Sequence, residues 1–466
     1  MHILRNWNAL KRAADPVLRP AALAWLAVLL TGCAVQGPVS SVAPTPLPGI
    51  VRTMKSAGFW IARHPDPDRT IMDAATVIAF NNRLVGEQSV NDLFSLPPGL
   101  PGATVKTWLN DDVSPFTGGA WYLPDGRRAD RDTLERLRAT INTAALAETI
   151  PVRYGVTVRF ADLRSLPTAE PLTATARETG LDELQNSDLD PGTPLAVVHR
   201  SADGSWLYVV EPLARGWVRR DAVAFCEKEA LADFCARTPF VVVTAAKGDI
   251  FLNGRCTIFY DYARMGTRLP LLRETADTVE VTVPVRDKNG DAVFSSGYLD
   301  RTAVHAGYLS YTPRAMLTQA FRLLNAPYGW GGLDGEQDCS RFIHEVFSTA
   351  GIRLPRNSSA QRRAGVELCA RDDRTTEETM RALLVERGVG GGTLLGMSGH
   401  IMLYLGAVDG KPFAIHALRA YREPAPRTDR IRFVNRVAVT DLSLGKGTSR
   451  GSLLDRLLTV RLVCFQ

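Results

Sequence analysis

The order of apolar and polar positions separates a mixed front part of the chain from a β-rich middle part. Residues 71–84 and 131–146 carry apolar side chains at helical spacing, with segments rich in proline and glycine between them. From about 151 the pattern changes to short apolar or alternating runs, separated by turn signals such as 202–205 (ADGS), which predicts strands. We therefore expect a partly helical structural or docking domain over 50–148, followed by β-rich units.

The rear part of the chain combines helix and strand patterns. Residues 313–324 and 338–350 carry apolar positions at helical spacing. Strands are predicted in three later stretches: 400–408, 412–418 and 457–464. We therefore expect an α+β domain over 313–466 as the last unit of a multidomain chain.

The β-rich middle part contains motifs of a known small barrel. Residues 197–210 (VVHRSADGSWLYVV) and 214–223 (ARGWVRRDAV) resemble the late strands of a bacterial SH3 domain. This resemblance implies a first SH3 barrel over 149–228. A second unit over 238–312 carries a hairpin turn signal, 288–291 (KNGD), and resembles a more diverged barrel of the same kind.

The first 32 residues have the pattern of an export signal rather than of a folded domain. An apolar run of ten residues, 21–30, is too short to span a bilayer core of about 30 Å as a helix. The segment 30–33 (LTGC) follows directly and resembles a lipobox, which implies that Cys33 is lipidated and becomes the first residue of the mature chain. The alternative is an ordinary signal peptide that is cut nearby.

The lipobox carries an expectation about location. Residues 33–49 are rich in proline, serine and valine, and this composition predicts a tether between lipid and protein. The resemblance implies a lipid-anchored protein on the periplasmic side of the cell envelope, and Ala34 favours the outer membrane over the inner one.

Charge and cysteine content narrow the classes of partner. The chain has a formal net charge of +6, and the leader supplies three of these charges, so the mature chain is only mildly basic. Lysine and arginine do not form a block interleaved with aromatic residues, which argues against nucleic acid as a partner. No CxxC pair or histidine-rich cluster has zinc spacing, so we expect no metal. We also expect that the protein needs no cofactor and is a monomer. Whether Cys226 pairs with Cys235 stays open.

Cys339 lies where a helix is predicted to begin. Asp338 is a good N-cap residue, and the apolar face that begins at Phe342 places Cys339 in the first turn. Unpaired N–H groups and the positive end of the helix dipole favour a thiolate there and lower the pKa of the thiol. A cysteine nucleophile also needs a base and a group that orients the base.

Two histidines lie on neighbouring predicted strands. A three-residue loop at 407–409 would place His416 opposite His400, on the same face of the sheet. A two-residue loop at 409–410 would turn His416 to the other face. A site that uses both imidazoles therefore requires a loop of odd length.

Five motifs occur in an order that resembles one peptidase family. The motifs are 327–332 (PYGWGG), 338–342 (DCSRF), 354–356 (LPR), 399–406 (GHIMLYLG) and 415–417 (IHA). Together they resemble the NlpC/P60 cysteine peptidases of bacterial cell walls, and most of all the members with SH3 domains ahead of the catalytic domain. The resemblance implies a papain-like α+β catalytic domain and cleavage of γ-D-glutamyl-diamino acid bonds in peptidoglycan stem peptides and muropeptides.

The resemblance also implies a role for individual residues. Cys339 would be the nucleophile, His400 the general base, and His416 the third residue, which orients the base. The first SH3 barrel would close the far end of the cleft, where members of this group recognise a free N-terminal L-Ala. Six further residues would line the substrate cleft: Tyr328, Trp330, Asp338, Ser340, Asn357 and Ser358.

Two departures from the family pattern affect these expectations. Arg341 replaces a common glycine, and we expect it to point away from Cys339 with little effect on catalysis. Asn357 replaces a frequent aspartate, and an amide lacks the negative charge that would bind a substrate ammonium group unless Asp338 or the barrel supplies it. The alternatives are an N-acetylmuramoyl-L-alanine amidase, an acyltransferase, and a wall-binding lipoprotein without catalytic activity.

Overall fold

The computed structural model describes residues 46–176 and 180–465. The predicted leader over 1–32, the lipidation site at Cys33 and most of the predicted tether lie outside the described residues. Within the described ranges, no helix combines the length and the apolar character needed to cross a membrane.

The helices of the described residues lie mostly in the front and rear parts of the chain. The α-helices are α1 Ala57–Ile61, α2 Ala74–Gly86, α3 Gly102–Val113, α4 Arg131–Ala139, α5 Lys228–Ala236, α6 Pro313–Arg322, α7 Cys339–Ser348, α8 Ser358–Gln361 and α9 Glu377–Arg387. Shorter 3-10 turns are Arg52–Lys55, Leu93–Ser95, Ser114–Phe116, Thr143–Ala145, Arg220–Ala222, Arg301–Ala303 and Trp330–Gly335. The helices predicted at 313–324 and 338–350 correspond to α6 and α7.

The strands form four antiparallel sheets in the described part of the chain. A small sheet joins β1 Gly99–Pro101 to β2 Thr149–Pro151. The second sheet contains β3 Arg153–Thr157, β4 Ala161–Arg164, β5 Gln185–Leu189, β6 Pro194–Arg200, β7 Trp206–Val210, β8 Arg215–Arg219 and β9 Val223–Cys226. The third contains β10 Phe240–Val243, β11 Lys247–Phe251, β12 Phe259–Arg264, β13 Arg268–Glu274, β14 Thr278–Arg286, β15 Ala292–Asp300 and β16 Val304–Ala306. The fourth contains β17 Val366–Ala370, β18 Thr393–Met397, β19 His400–Val408, β20 Lys411–Glu423, β21 Arg430–Asp441 and β22 Thr459–Leu462.

Each of the two seven-stranded sheets occupies one β-rich stretch of the sequence. The strand orders are β5-β4-β8-β7-β6-β3-β9 and β12-β11-β15-β14-β13-β10-β16. The hairpin turn predicted at 288–291 joins β14 to β15. Its geometry follows from local chemistry, because the Asp287 carboxylate accepts the N–H groups of Asn289 and Asp291, both at 2.8 Å, and Gly290 adopts a φ of 96°.

The residues predicted to form a separate front domain over 50–148 divide between two hydrophobic cores. Trp60 is buried in the same core as Phe342 of α7. Val105 of α3 is buried together with Trp217 of the first barrel. The front part of the chain therefore packs against both the first barrel and the last domain.

The last domain places the start of α7 against the start of β19. Its sheet has the order β17-β22-β18-β19-β20-β21, and α7 packs on β19 and β20. The strand predicted at 400–408 is β19, whereas β20 runs on to Glu423, beyond the predicted end at 418. This longer strand pairs with β21 as an extended hairpin.

Candidate active site

The Asp338 side chain caps α7, as the sequence predicts. One carboxylate oxygen of Asp338 accepts the backbone N–H groups of Ser340 at 3.0 Å and Arg341 at 2.8 Å. Cys339 is therefore the first residue of the helix, and its side chain is 7% exposed within the core that contains Phe342.

The environment of the Cys339 thiol differs from the prediction of a lowered pKa. Burial and the negative charge of Asp338 raise the pKa of Cys339 to about 12. Hydrogen bonds from the backbone N–H groups of Ile401 and Ser340 act in the opposite direction but are outweighed. The helix terminus alone therefore does not create a thiolate, and the sulfur needs a base to remove its proton.

The two predicted histidines are in direct contact. His400 Nε2 lies 2.6 Å from His416 Nδ1, and the two rings meet edge to face. Burial, followed by the charge of Arg456, lowers the pKa of His400 to about 4, whereas Asp338 acts to raise it. Burial and the charge of His400 lower the pKa of His416 well below its usual value. Both imidazoles are therefore neutral at pH 7.

The loop between β19 and β20 has two residues, so the prediction of an odd-length loop was wrong. Val408 pairs with Lys411, which leaves Asp409 and Gly410 as the loop. The register then shifts by one residue, because Tyr404 pairs with Ala414 whereas Gly406 pairs with Phe413. This β-bulge reverses the side-chain parity a second time and returns both imidazoles to one face of the sheet.

A third polar residue, Thr440 on β21, completes the chain of hydrogen bonds. His416 Nε2 lies 2.9 Å from Thr440 Oγ1, and both side chains are buried. Because His400 uses Nε2 for His416, its Nδ1 is the nitrogen available to a thiol proton. Thr440 could not be predicted from the sequence, since only the pairing of β20 with β21, in which His416 lies opposite Ala438, brings it near the imidazole.

Comparisons with known proteins identify two domains of this chain. Residues 325–423 match the NlpC/P60 family, and residues 173–219 match the SH3 domain of the SH3b1 type. The chain carries an NlpC/P60 peptidase domain and an SH3b domain. NlpC/P60 is a cysteine peptidase family, so the matched residues form a domain of the peptidase class.

Two relatives extend the comparison beyond the matched domains. A curated protein of Bacillus cereus (strain ATCC 10987 / NRS 248), gamma-D-glutamyl-L-lysine dipeptidyl-peptidase, is 27% identical over 247 residues, which cover 50% of this chain and 66% of the relative. A solved NlpC/P60 endopeptidase from Photobacterium damselae subsp. piscicida has a TM-score of 0.72 and 20% identity, covering 90% of this chain and 97% of that one. The similarity to the Photobacterium protein concerns the fold alone.

Asp338 of the NlpC/P60 domain is engaged in a buried ion pair. Arg356 Nη2 donates to Asp338 Oδ2 at 2.8 Å, and Arg356 Nη1 donates to Ser340 Oγ at 3.0 Å. Burial disfavours the charged carboxylate, but Arg356 outweighs it and holds the pKa of Asp338 below its usual value. Arg356 also donates to Ser187 Oγ of the first barrel at 2.9 Å. Asp338 is therefore committed to internal contacts rather than open to a substrate ammonium group.

Arg341 points away from Cys339, as predicted, but it has a larger structural role than the sequence indicated. Its Nη2 donates to Asp190, which follows β5 of the first barrel, at 2.8 Å, and its Nε donates to Glu345 of α7 at 3.1 Å. Arg264 of β12 donates to the same Asp190 at 2.9 Å. Arg341 thus joins the NlpC/P60 domain to both seven-stranded sheets through a buried charge cluster.

Tyr328 and Trp330 lie on the loop before α7, and Tyr328 packs against the core that contains Cys339. Burial, followed by the charges of Cys339 and Asp338, raises the pKa of Tyr328. Trp330 is half-buried at the start of the Trp330–Gly335 turn. Their roles in binding substrate stay predictions.

The glycines of this loop are required by the first barrel. Gly331 and Gly332 adopt φ values of 63° and 88°. A Cβ atom on Gly331 would lie 2.5 Å from the Gln185 carbonyl oxygen, and one on Gly332 would lie 2.1 Å from an Asp188 carboxylate oxygen. Both barrel residues belong to β5, so the glycines allow β5 to pack directly on the NlpC/P60 domain.

Asn357 and Ser358 lie at the start of α8. Asn357 is exposed, and its amide oxygen accepts the Ala360 N–H at 2.9 Å and the Ser359 hydroxyl at 2.7 Å. Ser358 is half-buried. The Asn357 oxygen thus serves as a helix cap, and a function for either residue in substrate binding stays a prediction.

The remaining cysteines are free thiols in the described residues. Cys226 and Cys235 are both half-buried and unpaired, as are Cys256, Cys369 and Cys464. Within residues 46–176 and 180–465, no three or more His, Cys, Asp or Glu side chains are grouped in a way that could hold a metal ion.

Proposed function

We propose that this protein hydrolyses the γ-D-glutamyl-diamino acid bond of peptidoglycan stem peptides through a thioester on Cys339. The observation that carries the proposal is the continuous chain of polar contacts from His400 through His416 to Thr440, beside a cysteine at the start of a helix. The name of the Bacillus cereus relative supports the choice of a γ-D-glutamyl bond.

In the first step, His400 removes the thiol proton of Cys339 as the sulfur attacks the γ-carbonyl carbon of D-Glu. The raised pKa of the thiol and the lowered pKa of the imidazole mean that this proton moves during attack rather than before it. His416 accepts a hydrogen bond from His400 Nε2 and donates from its own Nε2 to Thr440, which fixes the tautomer of both rings. Backbone N–H groups at the start of α7 stabilise the oxyanion.

In the second step, His400 gives the proton to the amine of the diamino acid, which leaves as the tetrahedral intermediate collapses. Water then attacks the thioester, with His400 as the base, and the thiol regains its proton. The reaction uses the side chains of this site and water, and we propose no cofactor or metal.

The charges near the site indicate which amino ends of the stem peptide the protein accepts. Asn357 is uncharged and caps α8, and Asp338 is paired with Arg356, so neither supplies a free carboxylate. We propose that the protein accepts stem peptides whose amino end is linked to sugar as well as those with a free L-Ala. The site of action is the periplasmic side of the envelope, with the chain anchored as a monomer through lipidated Cys33.

The test is the mass of the products from two defined substrates. The free peptide L-Ala-γ-D-Glu-L-Lys-D-Ala-D-Ala and its disaccharide-linked form are incubated with the full-length protein. Cleavage after D-Glu in both substrates is the expected result, and Cys339→Ala abolishes it. Cys369→Ala, a change at a free thiol on β17, is the matched control and keeps full activity.

The same masses separate the alternatives. An amidase would release the whole peptide from the sugar-linked substrate and leave the free peptide intact. Equal activity of Cys339→Ala and the parent protein would exclude a nucleophilic role for this residue. Binding to purified cell wall without any new product would indicate a wall-binding protein without catalytic activity.

A further inference from the structure

The hairpin formed by the far ends of β20 and β21 concentrates the positive charge of the chain. We call residues 418–436 the basic arm. Its 19 residues contain six arginines and two acidic residues, a net charge of +4, whereas the whole chain of 466 residues carries +6. The arginines are Arg419, Arg422, Arg427, Arg430, Arg432 and Arg436.

The two acidic residues of the basic arm are already paired. Glu423 accepts from Arg432 at 2.6 Å, and Asp429 lies 3.5 Å from Arg422. Arg427 and Arg430 are exposed, and neither forms an ion pair with another residue of the described chain. The arm therefore presents uncompensated positive charge to solvent.

Apolar side chains accompany this charge on the same arm. Ile431 and Phe433 are 53% and 55% exposed, and they project from the same face of β21 because they are two residues apart. The Arg419 guanidinium lies 5.5 Å from the centre of the Phe433 ring. β21 is also an edge strand of its sheet in the part of the chain that the structure describes. Such a surface fits an extended ligand that is anionic and partly apolar.

The base of the basic arm contacts the loop that precedes Cys339. The Tyr328 N–H donates to the Asn435 carbonyl oxygen at 3.0 Å, so the base of the arm pairs with the loop that carries Tyr328. Tyr328 packs against the buried core that contains Cys339, and the Arg419 guanidinium lies over the Phe433 ring. A ligand held at Cys339 therefore has a path along Tyr328 and Arg419 to Phe433.

We propose that the basic arm binds the carboxylates of the stem peptide while the scissile bond lies at Cys339. This proposal rests on the proposed function. A γ-linked D-Glu leaves its α-carboxylate free, and the peptide ends in a second carboxylate. Arginine is suited to both groups because its planar guanidinium donates to carboxylates in pairs. Ile431 and Phe433 contact the methyl groups of the D-Ala residues.

The test uses full-length Cys339→Ala protein and two peptides. One is L-Ala-γ-D-Glu-L-Lys-D-Ala-D-Ala, and the other is the same peptide with both carboxyl groups converted to amides. Calorimetry measures each Kd at low and at moderate salt. For the carboxylate peptide, Arg427→Gln/Arg430→Gln raises the Kd about three- to tenfold at low salt, the loss expected for two exposed charge contacts. The Kd of the amide peptide changes less than twofold.

Two further variants control this result. Lys106→Gln/Arg128→Gln removes two exposed charges from the front part of the chain and leaves both Kd values unchanged. Phe433→Ser, on the exposed face of β21, weakens the binding of both peptides, because the apolar contact does not depend on the carboxylates. The change is at the surface, so the fold is retained.

An equal loss for both peptides, or no loss for either, would overturn the proposal. Arm-dependent binding to phosphatidylglycerol vesicles with unchanged peptide binding would also overturn it and assign the arm to a membrane surface. Failure of the proposed hydrolysis is distinguishable. In that case the parent protein cleaves neither peptide, whereas the carboxylate-dependent difference in Kd between the arm variant and its control persists.

Discussion

Replacement of Arg356 by Met removes the only cation that the structure pairs with Asp338 among the described residues. The Asp338 carboxylate then stays buried at the start of α7 without a counter-charge. Loss of one partner of a buried ion pair costs about 3–5 kcal/mol at neutral pH. We expect a loss of unfolding free energy in this range for Arg356→Met, and a comparable loss of activity because the same pair positions the first turn of α7.

The pH dependence of this loss follows from the pKa of Asp338. In the parent protein this pKa lies below the ordinary 3.8, so the pair stabilises the fold fully above pH 3.8 and less as the pH falls through the folded value. Without Arg356, burial dominates and raises the pKa of Asp338 above 3.8. The variant is then destabilised progressively as the pH rises above 3.8. The deficit is therefore largest at pH 7 and shrinks toward pH 4.

The assay is a double-mutant cycle followed by urea unfolding and tryptophan fluorescence at pH 7 and pH 4.5. It compares Arg356→Met, Asp338→Asn and the double variant with the parent protein. We expect a coupling of about 2 kcal/mol or more at pH 7 that is smaller at pH 4.5. Arg353→Met, at an exposed arginine of the same loop, is the control and costs less than about 0.5 kcal/mol. A cost of Arg356→Met that is the same in the parent protein and in the Asp338→Asn variant would refute the reasoning.

Three further predictions concern the Cys339 thiol, the tautomer of His416 and the loop before α7. Alkylation of Cys339 by iodoacetamide, followed by peptide mapping, accelerates up to pH 9 and beyond; a plateau below pH 7 would contradict the raised pKa of its thiol. Thr440→Val lowers kcat about 10- to 100-fold with little change in KM, and Thr440→Ser restores it, because the hydroxyl fixes His416; equal kinetics for both variants would argue against this role. Gly332→Ala lowers the free energy of unfolding, measured with urea, because the new Cβ meets the Asp188 carboxylate of the first barrel. The control is Gly204→Ala, which costs about 1 kcal/mol through its positive φ alone, and we expect Gly332→Ala to cost at least about 2 kcal/mol more.

The position of Cys339 at the start of a helix could be predicted from the sequence because its determinants are local. Asp338 caps the helix, and the apolar spacing that begins at Phe342 fixes which face of the helix is buried. The contact between His400 and His416 was also expected, but for a wrong reason. Instead of the predicted loop with an odd number of residues, the structure has a two-residue loop and a β-bulge at Leu405. The apolar periodicity of the sequence does not reveal an inserted residue of this kind.

The partners that hold the site could not be predicted because they come from distant parts of the chain. Ser187 of the first barrel contacts Arg356, and Asp190 contacts Arg341. Neither contact follows from spacing, since each depends on how β5 packs against the last domain. The prediction of a lowered pKa for Cys339 was wrong for a related reason. The helix dipole is a local effect, whereas burial, which raises this pKa, is set by the whole fold.

The most direct test of the central claim is an affinity label that carries the acyl half of the proposed substrate. L-Ala-γ-D-Glu with a chloromethyl ketone in place of the scissile amide is incubated with the full-length protein, and every cysteine is mapped by mass spectrometry. We predict one label per chain, on the Cys339 sulfur, with loss of hydrolysis in proportion and slow labelling in His400→Ala. Labelling of another cysteine, or full hydrolysis by protein labelled at Cys339, would contradict the account.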